Sequence, residues 1–125
     1  MPLLSIVSPV YEAEECVKEL YRRISEAVSQ ISNDYEVIFV EDGGEDHSWE
    51  LISEIAKKDA HIKGIKLSRN FGVHNALTAG MENAEGDWVI VIECDLQSPP
   101  EKMIDLYNKA LEYQLYLPDQ PPVKL

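Results

Sequence analysis

DWVIVIECDLQSPP, residues 87–100, is the stretch whose reading decides the fold. An uncharged apolar run from Trp88 to Ile92 suits a strand buried on both faces, as in a parallel sheet. It ends abruptly in Glu93, Cys94 and Asp95, and Pro99 and Pro100 close the loop that follows. Two carboxylates two positions apart share one side of a strand that persists that far. With no histidine or cysteine pair nearby they suit a hard cation, Mg²⁺ or Mn²⁺, with Gln97 as a further oxygen donor. The same two charges also serve as a plain solvated strand end, and on this stretch alone both readings stand.

Working outward, the chain alternates between two periods. Residues 3–10 (LLSIVSPV) and 35–41 (YEVIFVE) read as buried strands, 61–68 (HIKGIKLS) as a strand nearer the sheet edge, and 87–93 as the fourth. Between them, Ala13, Val17, Leu20, Tyr21, Ile24, Ala27, Val28 and Ile31 recur at helical spacing. Asp46 or Ser48 is placed to cap a second helix with Trp49, Ile52, Ile55 and Ala56 on its apolar side. A third helix is expected over residues 73–84 despite Gly80, and a fourth opens at Pro99 and Pro100. Strand–helix alternation with apolar strands predicts an open α/β fold: a mostly parallel sheet, helices on both faces, strand order 3-2-1-4. Residues 113–125, with three prolines in the last eight positions, read as a proline-rich tail after a domain of residues 1–112.

Composition narrows the partners. The 125 residues carry 23 acidic and 11 basic side chains, a formal net charge of −12, so a nucleic-acid backbone is excluded as a partner. An anionic ligand then needs a local positive device such as a metal ion, an arginine or a helix N-terminus. Cys16 and Cys94 lack metal spacing and fit a reducing compartment as small buried side chains. No apolar run is long enough to span a membrane, and the N-terminus lacks the basic start and apolar core of a signal peptide, so a cytoplasmic protein is expected.

In open parallel sheets, ligands bind beyond the carboxyl ends of the strands. Those ends carry Pro9-Val10-Tyr11-Glu12, Glu41-Asp42-Gly43-Gly44, Ser68-Arg69-Asn70-Phe71-Gly72 and Glu93-Cys94-Asp95-Leu96-Gln97. Four polar or flexible ends on one edge make a site. In the second, the glycines let a ligand approach the backbone, and a carboxylate can accept from a base or ribose; an ordinary tight turn reads the same way. Arg69 is the single arginine after residue 23. It suits a phosphate, a base face or a salt bridge to one of the many carboxylates. His74 and Asn75 are placed for anion binding or capping. No GxGxxG fingerprint and no P-loop occurs.

The stretches SIVSPVYEAEE, FVEDGGEDHSWE, IKLSRNFGVHNALTAG and GDWVIVIECDLQSPPE, in this order and spacing, resemble the N-terminal half of family 2 glycosyltransferases. The likeness runs from about Leu3 to Leu111 and is closest to the branch of dolichyl-phosphate mannose synthase and bacterial polyprenyl-phosphate glycosyltransferases of the cell envelope. It implies a GT-A fold and a UDP- or GDP-linked sugar bound with Mg²⁺ or Mn²⁺. Its nucleotide site would be Pro9, Tyr11, Glu12, Asp42, Arg69 and Cys94, and its metal site Glu93, Asp95 and Gln97. Three positions depart from the family pattern. Glu93 stands for an aspartate, Val73 for the glutamine of RNFGQH, and Ser98 for the second aspartate of DLQDPPE. In the family the acceptor-binding half follows the metal motif, often with membrane helices, and no residue here is assigned to that work. The resemblance therefore implies a donor-binding half whose lipid acceptor, at the inner face of a membrane, is met through another region or a partner. The alternative is a non-catalytic nucleotide-sugar-binding module or remnant, completed as an oligomer or left unfinished.

Overall fold

The computed structural model describes residues 2–94 and 99–116. Four strands alternate with four helices: β1 (Leu4–Val10), α1 (Glu14–Ser29), β2 (Tyr35–Glu41), α2 (Ser48–Lys58), β3 (Ile62–Lys66), α3 (Val73–Glu82), β4 (Trp88–Val91) and α4 (Lys102–Tyr116). The strands form one parallel sheet in the order β3-β2-β1-β4, as the alternation predicts.

Strand alternation sends β1 and β2 side chains to two separate cores. Leu4, Ile6 and Val10 meet Val17, Leu20 and Ile24 of α1, Ile52 of α2 and Met103 of α4. On the opposite face Val7, Ile38, Val40 and Val89 meet Ala76 of α3. Gly80 explains how α3 lies so close. A Cβ at this position would stand 2.4 Å from a Val7 methyl, so the missing side chain is what lets the helix rest on the sheet. Its cost in helix propensity, about 1 kcal/mol, is offset by that packing. At the far edge β3 is short and bears Lys63 and Lys66, charges that blunt an edge strand against further pairing.

The structure moves several boundaries. β4 ends at Val91 rather than at residue 93, and Pro9 supplies the reason. The Ile92 amide donates to the Val7 carbonyl at 3.0 Å, so the odd residues of β1 aim their backbone groups at β4. Pro9 is next in that row and has no N–H to give, so the ladder stops. The expected helix start at Asp46 or Ser48 resolves differently: His47 is the N-cap residue of α2 and makes no side-chain cap bond. Asp46 Oδ1 accepts from the Ser48 amide at 3.0 Å, while its Oδ2 accepts from the Glu14 amide at 3.1 Å at the start of α1. The Ser48 hydroxyl accepts from the Ala13 amide at 3.3 Å, so the β2–α2 turn caps two helices together. Finally, α4 runs to Tyr116, into the stretch read as tail, because its prolines begin only at Pro118.

At the amino end of the sheet, Glu36 is buried and ties three elements. It accepts from the Ser5 hydroxyl at 2.5 Å, the Lys63 ammonium at 2.6 Å and the Glu85 amide at 2.6 Å. Burial alone would push its carboxyl up, but the Glu85 amide, Lys63 and Ser5 together outweigh it and hold the group below the usual glutamate range. A lowered folded value stabilises fully above the unfolded glutamate pKa of about 4.3, and that contribution is lost as pH falls through the folded value. Glu36→Gln should therefore cost about 1–2 kcal/mol at pH 7 in urea unfolding. Its stability should also fall less steeply than the wild type's as the solution is acidified below pH 4.

Candidate functional site

Strand order reverses between β1 and β4, where the chain passes from β3 across the sheet to the other side of β1. That is where a crevice opens in such sheets, and here Pro9 opens it by ending the ladder. The crevice is a cleft of about 360 Å³ lined by Pro9, Tyr11, Asp42, Val73, Glu93 and Cys94. Five of the expected site residues thus meet in one place, from three strand ends. Glu12 lies in an adjoining recess of about 570 Å³ that shares Tyr11 and Cys94 with the cleft. Glu12 has φ 47°, the one positive φ outside glycine among the described residues. A bulky residue held there is strained, a state that recurs where a loop is shaped for a ligand.

Asp42 is nearly buried, and its Oδ1 accepts from the Phe71 amide at 2.9 Å. It therefore orients the β3–α3 loop as well as facing the cleft. The same loop is pressed on the β2 turn. Gly43 has φ 71°, and a Cβ there would sit 2.1 Å from the Arg69 carbonyl carbon, so no other residue fits. Within the loop the Gly72 amide donates to Asn70 Oδ1 at 2.9 Å, and Asn75 Nδ2 donates to the Phe71 carbonyl at 2.8 Å. Asn75 thus ties the loop to the first turn of α3 without capping it: the N-cap residue is Gly72, and no side chain among the described residues makes the cap bond anticipated for His74 and Asn75.

Arg69 does not line the cleft. Its guanidinium lies 4.7 Å from the centre of the Phe71 ring, and it forms no salt bridge among the described residues. The exposed cation is held on an aromatic face at the rim. Glu93 is exposed at the end of β4 and makes no hydrogen bond or ion pair among the described residues. A hard oxygen donor open to the cleft fits a Mg²⁺ or Mn²⁺ ligand. Asp95 and Gln97, the other two expected ligands, lie outside the described residues, and the described residues alone form no cluster of three metal-binding side chains.

Two contributors were not singled out as site residues from the sequence. Val73 lines the cleft as the first residue of α3, and with Tyr11 it exposes apolar surface there. Phe71 is exposed beside them under Arg69. Their signal was present in SRNFGV: two large apolar residues bracketing a glycine in a stretch too polar to be core. A mainly apolar groove of about 460 Å³ shares Glu93 with the cleft and runs between β4 and α4 past Ile92, Met103 and Leu106.

Comparison with known proteins identifies the family and the fold. Residues 5–121 match the family model "Glycosyl transferase family 2". The chain is 44% identical over 108 residues to an uncharacterized glycosyltransferase, YkcC, of Bacillus subtilis, covering 86% of this chain and 33% of that protein. It is 42% identical over 111 residues to the undecaprenyl-phosphate 4-deoxy-4-formamido-L-arabinose transferase of Aeromonas hydrophila, covering 88% and 34%. The fold is similar to that of S. aureus TarS in complex with UDP (TM-score 0.71, 20% identity, 90% of this chain and 33% of that one). It is equally similar to the mannosyltransferase PcManGT of Pyrobaculum calidifontis in complex with GDP-Man and Mn²⁺ (TM-score 0.71, 17% identity, 90% and 32%). The chain thus spans about a third of the length of the relatives it matches. By the match over most of its length, with the α/β architecture and the strand-end motifs in place, the chain belongs to glycosyl transferase family 2.

Proposed function

We propose that this chain is the donor-binding part of a glycosyltransferase that takes a UDP-linked sugar and hands the sugar to a polyprenyl phosphate. The observation that carries the reading is the meeting of Pro9, Tyr11, Asp42, Glu93 and Cys94 in one cleft at the switch point of the sheet. Tyr11 and Val73 offer apolar flanks for a flat base, and Asp42 offers an acceptor at its edge. Asp42 Oδ1 accepts from the Phe71 amide, so Oδ2 is the carboxylate oxygen with no donor on it among the described residues. Uracil presents a single ring N–H, which Oδ2 meets alone. Guanine presents two adjacent donors, and meeting both would need Oδ1 to accept a second bond beside the Phe71 amide.

The diphosphate is the difficult part of the ligand for so acidic a chain. Glu12, Asp42 and Glu93 surround the site, and Arg69 on its Phe71 platform is the one arginine at these strand ends. Glu93, with Asp95 and Gln97, would hold Mg²⁺ or Mn²⁺, which when bound supplies positive charge to the leaving diphosphate. Glu93 provides the oxygen at the end of β4. Tyr11 and Asp42 fix the base, and so hold the sugar's anomeric carbon in one place for attack by the acceptor phosphate. The relatives' names support a polyprenyl phosphate acceptor. No helix among the described residues is long and apolar enough to cross a membrane, so contact with a lipid acceptor at the cytoplasmic face would be made by another region or a partner.

Calorimetry with UDP and GDP, with and without Mn²⁺, tests the reading. UDP should bind in a Mn²⁺-dependent manner, and tighter than GDP by about tenfold or more, a difference of about 1.4 kcal/mol. Equal affinity for both would remove the base assignment, and binding of neither would remove the function. Asp42→Asn exchanges an acceptor for a mixed group and should weaken UDP by about tenfold while leaving Mn²⁺ affinity unchanged. Glu93→Gln and Asp95→Asn should instead lower Mn²⁺ affinity measured by electron paramagnetic resonance about tenfold each, and with it the Mn²⁺-dependent binding of UDP. Metal-dependent binding with no sugar transfer to a polyprenyl phosphate, even when the region or partner that meets the acceptor is supplied, would identify a binding module rather than part of an enzyme.

A further inference from the structure

Glu41 precedes Asp42 as the last residue of β2. Strand alternation sends its side chain to the α1 and α2 side of the sheet, away from the cleft that Asp42 faces. It is 1% exposed, at the end of a strand whose Val37 and Phe39, on the same face, are core. A carboxylate in such a place is costly unless it holds something. What it holds is the turn: Glu41 Oε1 accepts from the Gly44 amide at 2.6 Å. Its other oxygen, Oε2, is buried without a hydrogen-bond partner among the described residues.

Gly44 links this bond to the rest of the site. A Cβ on Gly44 would meet Glu12 Cγ at 3.0 Å, the Glu12 amide nitrogen at 3.2 Å and Glu41 Oε1 at 3.3 Å. The glycine is therefore wedged between Glu41 and the strained residue that follows Tyr11. Its neighbour Gly43 is pressed on Arg69 and Asn70, and Asp42 holds the Phe71 amide. One turn thus touches the two loops that flank the cleft, and the Glu41 bond spans that turn.

We infer that Glu41 is a positioning residue of the nucleotide site, acting through the Gly44 amide to aim Asp42 and Tyr11 without touching the ligand. The inference rests on the nucleotide reading for its consequence, but the geometry it asserts is present in the free protein.

The test uses the full chain and three substitutions. Glu41→Leu removes the acceptor, Glu41→Asp keeps the charge but draws the carboxylate one methylene back from Gly44, and Glu41→Gln keeps an acceptor oxygen at full reach. In free protein, Leu and Asp should each raise hydrogen exchange at the Gly44 and Phe71 amides about tenfold or more, although the acceptor of Phe71 is untouched. UDP affinity with Mn²⁺ should fall about tenfold or more in both and return to within about threefold of wild type in Gln. Ile38→Val, which loosens the opposite core, should leave UDP affinity and both amides as they are. If Leu does not fold, Asp carries the test.

Unchanged exchange at Gly44 and Phe71 in Asp, or UDP affinity within threefold of wild type, would overturn the assignment. So would an equal loss of affinity in Ile38→Val, which would mark a general effect of stability. If the wild type binds no nucleotide, the function proposed above falls instead, and the exchange measurements alone decide whether Glu41 sets the turn.

Discussion

A missing backbone hydrogen shapes the molecule. β1 is the central strand, paired with β2 along its whole length but with β4 only as far as Val7. Beyond that point Pro9 presents a ring to β4 where any other residue would present an N–H. The two strands that define the switch point part there, and the space between their ends is the cleft. In most central strands a proline is a defect. Placed one step past the last pair, it separates strands that the register would otherwise keep closed, and the site depends on it.

Three loops then have to be held around that opening, and the β2–α2 segment does most of the holding. Asp46 and Ser48 cap α1, Asp42 fixes the β3–α3 loop, and Gly43 and Gly44 are packed on Arg69 and Glu12. These are mostly single hydrogen bonds and tight backbone contacts, not large apolar interfaces. Such an arrangement sets positions accurately but contributes modest stability, since a typical hydrogen bond nets about 1 kcal/mol. Stability comes instead from the two cores below, and from Glu36 at the opposite end of the sheet. The molecule thus separates the part that keeps it folded from the part that shapes the cleft. The same fold occurs in solved structures only 17–20% identical, as expected when apolar pattern rather than side-chain identity maintains the sheet.

Much of this is legible in the sequence. The order 3-2-1-4 followed from right-handed crossovers between apolar strands, and the site followed from four polar strand ends arriving at one edge. Pro9, Tyr11, Asp42, Glu93 and Cys94 were expected and do converge. What misled was local. Asp46 was read as a cap for its own helix because capping is ordinarily local in sequence. Half of its work is across space, on a helix that starts 32 residues earlier. For Arg69 the sequence leaves a phosphate, a base face and a carboxylate open because only its charge is visible there, whereas the Phe71 ring that carries it is a matter of loop conformation.

The sequence by itself determined the periods, and the periods determined elements, pairing direction and sheet order, because burial of apolar faces allows few alternatives. It also named the chemistry at each strand end. Only the tertiary structure decided which of those groups face the cleft and which support it. Glu41 and Asp42 are adjacent carboxylates, indistinguishable by composition, yet one lines the site and the other lies beneath the turn. The reason is geometric. Successive strand residues point to opposite faces, and which face becomes a cleft depends on where β4 leaves β1 and where α3 lies, both set by contacts between residues distant in the chain.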